Sequence, residues 1–268
     1  MSQDTSLLQT PLAFRQGRFV SSERAVPEET AIAISVNGST HAVMMATPDH
    51  VRELAIGLAL NERIVDDLSQ VERIEVEASE LGLDCRLWLA EERARTYVAR
   101  RRQMTGPVGC GLCGVESLEL ASRDLPVVGE GATLSPERIV RAMDEMSGRQ
   151  TLGARTRAVH AAAFHDAEGG HVVTREDVGR HNALDKVAGH LAEAGVDPAQ
   201  GFLTITSRVS VELIQKAAVM GVSLIAAVSA PTALAIRAAE GAGVTLVAVV
   251  RGDEFEIFTH PRRVEGAL

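Results

Sequence analysis

Residues 201–250 read GFLTITSRVSVELIQKAAVMGVSLIAAVSAPTALAIRAAEGAGVTLVAVV. Three short apolar runs, FLTITS, VSLIAAVSA and VTLVAVV, are separated by two stretches of helical character. Apolar strands without polar alternation are covered on both faces, and strands alternating with helices build a largely parallel sheet. This predicts an α/β domain. Polar residues follow each run: Ser207, Arg208, Ser210, Glu212 and Lys216 after the first, Ser229 and Thr232 after the second, Arg251 after the third. Ligands of open α/β sheets sit outside the carboxyl ends of the strands, so these residues outline one anion-friendly cleft.

Upstream, RAVHAAAFH and HVVTRE form a predicted strand pair around DAEGG, followed by a helix with Leu184, Val187, Ala188 and Leu191 on one face, ending near Gly195. Ser135 and Pro136 open another helix, with Ile139, Val140, Met143 and Met146 inward and Gly148 as its stop. The first half has a different rhythm. Asn37-Gly38 between two apolar runs predicts a hairpin, because both residues tolerate the positive φ of a type I′ turn. Thr47 as N-cap and Pro48 at the first helical position predict a helix burying Val51, Leu54, Ala55 and Leu58. Strands follow at RIEVEA and CRLWLA, the second placing Cys85 on a buried face as a small hydrophobe. The expected division is a smaller strand-rich N-terminal part, residues 1–125, and an α/β domain, residues 126–268.

The formal charge of −9 over 268 residues, with both signs interspersed, argues against a partner bound by general phosphate neutralisation, so nucleic acid is not expected. No apolar run is long enough to span a bilayer, and the N-terminal stretch lacks the basic and apolar regions of a leader; no membrane association and a cytoplasmic location are expected. Three cysteines do not make a disulfide framework.

Two of them, Cys110 and Cys113, stand in GCGLCG, residues 109–114. A dinucleotide turn must follow a buried strand, but RRQMTGPV precedes this segment. The C-x-x-C reading is therefore preferred. A closed zinc site needs a second ligand pair, for which only histidines such as His160, His165 or His181 are candidates. A redox or sulfur-handling pair fits better, with Arg100, Arg101 and Arg102 nearby to favour a thiolate; the bland reading of that run is a solvated strand end. Zinc nucleobase deaminases pair C-x-x-C with H-x-E, whereas His160 is followed by Ala161 and Ala162, so deamination is not expected.

The densest polar cluster is TREDVGRHNALDK, residues 174–186, at a strand-to-helix junction. Asp177 is a plausible N-cap, and part of the cluster can be capping and surface ion pairs. Arg175, Arg180 and His181 are candidate anion contacts at a helix start.

In order, CGLCG, VHAAAF, REDVGRHNALDKV, SRVSVELIQKAA, VSAPTALA and TLVAVVRG resemble the formate dehydrogenase accessory sulfurtransferase family, FdhD, also called NarQ. The resemblance implies a cytidine deaminase-like α/β fold and a homodimer. It also implies a sulfurtransferase that accepts sulfur from a cysteine desulfurase as a cysteine persulfide. That sulfur passes to the molybdenum cofactor, bis-molybdopterin guanine dinucleotide, before the cofactor enters the formate dehydrogenase catalytic subunit. Cys110 would carry the persulfide, with Cys113 as its partner. Val249, Val250, Arg251, Gly252, Asp253 and Glu254 match the family's cofactor contact, and Arg175, Arg180, His181, Arg208 and Ser229 would complete a surface for the cofactor or a guanine nucleotide. No resident metal or permanent cofactor is implied. A thiol-disulfide oxidoreductase and a zinc-stabilised binding module are the alternatives.

Overall fold

The computed structural model describes residues 4–103 and 125–267, with backbone alone at 100–103. The α/β part is a six-stranded sheet in the order β10-β9-β11-β12-β13-β14. Its strands are β9 (His160–Asp166), β10 (His171–Asp177), β11 (Gly201–Ile205), β12 (Leu224–Ala227), β13 (Thr245–Arg251) and β14 (Glu254–Thr259). The runs FLTITS, VSLIAAVSA and VTLVAVV supply β11, β12 and β13, and these are parallel; β9, β10 and β14 pair antiparallel, so the sheet is mixed. The reason is local: DAEGG and the Gly252-Asp253 turn connect neighbours too closely for a crossover helix.

On one face lie α5 (Arg180–Ala194), α6 (Val211–Met220) and α7 (Ala233–Ala242), packing Leu184, Leu213 and Ala239 against Leu203, Ile225 and Leu246. The other face is covered by α3 (Pro136–Gly148), whose Ile139, Met143 and Met146 meet Ala163, Phe202 and Val247. Ser135 caps α3 by accepting from Arg138 N. Val140 is only half-buried. Gly148 does not stop the helix with a left-handed turn; Arg149 follows in right-handed backbone, and α4 (Thr151–Thr156) begins two residues on.

A four-stranded sheet, β6-β5-β8-β7, forms from β5 (Thr30–Val36), β6 (Ser39–Ala46), β7 (Val71–Ser79) and β8 (Gly82–Leu89). Asn37 and Gly38 both adopt positive φ between β5 and β6, as the hairpin requires. Helix α1 (Val51–Asn61) is buried on nearly all sides, between this sheet and α5. Gly57 and Gly189 let the two helices touch backbone to backbone: a Cβ on Gly57 would lie 1.8 Å from Asp185 O, and one on Gly189 1.9 Å from Glu53 O. Helix α2 (Glu91–Gln103) follows β8, so the backbone of Arg100–Arg102 is helical and not a strand end.

Thr47 is not the cap of α1. The helix starts after His50, and Thr47 is fully buried, its hydroxyl accepting from Val178 N and its amide donating to Asp177 Oδ2. A segment 130 residues away outbids the local cap because it offers a complete set of buried partners. Ahead of β5, residues 6–27 form a long hairpin of β1 (Ser6–Gln9), β2 (Leu12–Arg15), β3 (Arg18–Ser21) and β4 (Arg24–Pro27).

Candidate functional site

Strand β9 is antiparallel to both β10 and β11, and β11, β12 and β13 are parallel, so β10 to β13 all point the same way. Their carboxyl ends, together with the amino ends of β9 and β14, share one sheet edge. Asp177 pairs with His160, Ile205 with Ala162 and Ala227, and Arg251 with Glu254. Segments separated by up to 90 residues in sequence therefore meet there.

The cluster at 174–186 divides between architecture and site. Arg175 gives Nε and Nη2 to the Glu53 carboxylate at 2.5 and 2.6 Å and Nη1 to Thr174 O, with His190 beside it. This guanidinium is held inside the fold: alternation along β10 turns Arg175 to the same side as Asp177, toward α1. Burial pushes the Glu53 carboxyl up, but the Arg175 hydrogen bonds and charge outweigh it and hold the group below the usual range. Glu176, on the opposite face, accepts from Leu152 N and Gly153 N at the start of α4. Asp177 is not a helix cap; Gly179 occupies that position. It accepts from Thr47 N, Gly179 N and Asn182 Nδ2 and pairs with Lys186. Asp185 is bound by Lys216 and Asn61.

What remains is Arg180 and His181. Seven buried side-chain polar atoms lack a hydrogen-bond partner among the described residues, and four belong to this edge: Arg180 Nε, His181 Nε2, Ser210 Oγ and Glu212 Oε2. Ser210 stands at the N-cap of α6 but its side chain caps nothing; its hydroxyl lies beside the Glu212 carboxylate. Burial raises Glu212, yet Ser210, its own backbone amide and the neighbouring His181 and Arg180 bring it below the usual range. Burial, reinforced by the charges of Arg180 and Lys216, pushes His181 down to about 4. His160, at the head of β9, is also lowered, by burial and then by Arg180. The edge thus presents a cation, an anion, a hydroxyl and imidazoles held neutral, a set able to bind a polar ligand at both donor and acceptor positions. Ser210 and Glu212 gain weight that spacing alone did not give them.

Arg208 is exposed and Ser229 half-buried at the same edge. Thr232 caps α7 through Ala235 N. In the 249–254 stretch, Val250 is a core residue, while Arg251, Gly252, Asp253 and Glu254 are exposed. Val249 adopts φ 57° at the bulge where β13 and β14 shift register, a conformation that costs a β-branched residue. Cys110 and Cys113 lie outside the described residues. Of the histidines considered for zinc, His165 is five residues along β9 from His160, about 17 Å away, bonded to Thr204. No group of three or more His, Cys, Asp or Glu side chains is arranged to hold a metal among the described residues, nor is any described helix long and apolar enough to cross a membrane.

Comparison with known proteins agrees with these motifs. The family model described as FdhD/NarQ matches residues 27–265. The protein called sulfur carrier protein FdhD in Agrobacterium fabrum is 48% identical over 253 residues, covering 94% of this chain and 93% of its own. Its namesake in Brucella abortus biovar 1 is 49% identical over 254 residues, covering 94% of each. A crystal structure described as a formate dehydrogenase accessory protein from Desulfotalea psychrophila superimposes with TM-score 0.78, covering 97% of this chain and 100% of that one; at 23% identity it speaks to the fold alone. A family match over almost the whole chain, with relatives near half identical, means that this protein belongs to the FdhD/NarQ family.

Proposed function

We propose that this protein is a cytoplasmic, homodimeric sulfur carrier serving formate dehydrogenase. Cys110 thiolate attacks the outer sulfur of a persulfide on a cysteine desulfurase, taking that sulfur and releasing the donor thiolate. Attack by Cys113 on the inner sulfur of the Cys110 persulfide then releases hydrosulfide and leaves a Cys110–Cys113 disulfide, which an external dithiol reduces. The acceptor is the molybdenum cofactor, bis-molybdopterin guanine dinucleotide, bound as a substrate along the sheet edge before it enters the formate dehydrogenase catalytic subunit.

The observation that carries this reading is the set of four unpartnered polar atoms at that edge, in a chain of this family. Each costs on the order of 1–3 kcal/mol while unsatisfied. A guanine dinucleotide supplies the complement: phosphate oxygens for Arg180, Arg208 and Arg251, and N–H groups for the Glu212 carboxylate. Ser229 and the backbone of 249–254 extend the same surface.

Intact mass after incubation with a cysteine desulfurase and cysteine tests the carrier step. A reducible gain of about 32 mass units is expected on the wild type and on Cys113→Ala, and none on Cys110→Ala. An adduct retained by Cys110→Ala, or absent throughout, overturns the assignment.

A further inference from the structure

The hairpin of residues 6–27 is one continuous arm. Ser6 pairs with Pro27, Gln9 with Arg24, Leu12 with Ser21 and Arg15 with Arg18, all in a single register. Ser22 N to Pro11 O bridges the two ladders, and Gln16 and Gly17, both at positive φ, make the tip. Ten residue pairs extend about 33 Å. The arm is fastened at its base, where β4 packs on α4, Arg155 donates to Ser6 Oγ and Arg24 reaches Thr156 O. Beyond the base, no hydrogen bond or ion pair joins residues 10–23 to the body among the described residues.

Side chains directly opposite share a face, so Leu8, Leu12, Phe14 and Phe19 form one stripe. They are 74%, 70%, 65% and 67% exposed, and the two rings meet at 5.1 Å. Arg15, Arg18 and Arg24 lie on the opposite face. A two-stranded ribbon with an uncovered apolar face is at best marginal in water; it needs a further layer.

We propose that this layer is the same stripe of a second copy, the two arms packing face to face about a two-fold axis. This rests on the homodimer reading above and specifies its interface. Two observations favour the occupant. The stripe is self-complementary, with Glu23 its one charged member and Arg15 and Arg18 left facing solvent on the other side, as an isologous contact requires. The four side chains present about 500 Å² per copy, hence about 1,000 Å² for a pair, which reaches the lower bound for a specific interface.

Sedimentation velocity over a dilution series tests it on the full chain. The wild type is expected at twice 28.5 kDa. F14D/F19D, and more mildly Leu12→Ser, should weaken association, the double variant by about 100-fold or more, with Trp88 fluorescence unchanged. Leu81→Asp, exposed on the β7–β8 turn, should associate as wild type. A wild-type dimer that both arm variants leave intact overturns the arm interface while the homodimer stands; a wild type monomeric throughout removes both.

Discussion

The Lys186 ammonium stands 2.7 Å from the Asp177 carboxylate, and neither side chain has any exposure. Lys186 also donates to Thr47 O and Asp49 Oδ1, so this ion pair fastens the middle of α5 and the end of β10 to the β6–α1 connection. Breaking a buried pair from one side leaves a charge without compensation. Lys186→Met is therefore expected to cost about 3–5 kcal/mol, read from urea unfolding.

Two arginines five residues apart should separate stability from binding. Arg175→Ala removes both hydrogen bonds to Glu53 and is expected to lower stability by about 2 kcal/mol while leaving affinity for GDP unchanged. Arg180→Ala should do the reverse, weakening GDP by tenfold or more in calorimetry with a smaller stability change.

The helix crossing tolerates no added atom. Gly57→Ala must displace Asp185 O, and Gly189→Ala must displace Glu53 O. Each should destabilise by about 3 kcal/mol, seen as a lowered thermal midpoint, whereas Gly241→Ala, which meets nothing within 4 Å, should be neutral or better.

His165 is fully buried between Phe202 and Thr204, and burial pushes it down to about 4. In this range the unfolded chain binds the proton that the folded chain refuses, so the stabilisation is complete above pH about 6.5 and is lost as pH falls toward 4. His165→Leu should reduce the pH dependence of unfolding free energy between pH 5 and 6 by about one proton.

Cys85 is the cysteine with no part in the proposed transfer. Burial in β8 pushes its thiol up to about 12. Alkylation at pH 8 should reach it only after unfolding, and Cys85→Ala should acquire the persulfide as wild type does.

Sequence alone determined the elements whose signals are local. The β5–β6 hairpin follows from Asn37-Gly38, the buried strands from their apolar runs, and the cap of α3 from Ser135, because each depends on residues a few positions apart. The family motifs were legible in the same way. The tertiary structure decided which of the polar residues are architecture. Arg175, Asp177 and Lys186 look as functional in the sequence as Arg180 and His181, yet their partners, Glu53, Thr47 and Asp49, come from a segment more than 120 residues away. It also moved the start of α1 past Thr47 and left Arg180 Nε and His181 Nε2 without hydrogen-bond partners at the sheet edge. A hydrogen bond is specified by where two groups end up, and burial by everything packed around them; neither is written in the spacing of residues along one chain segment.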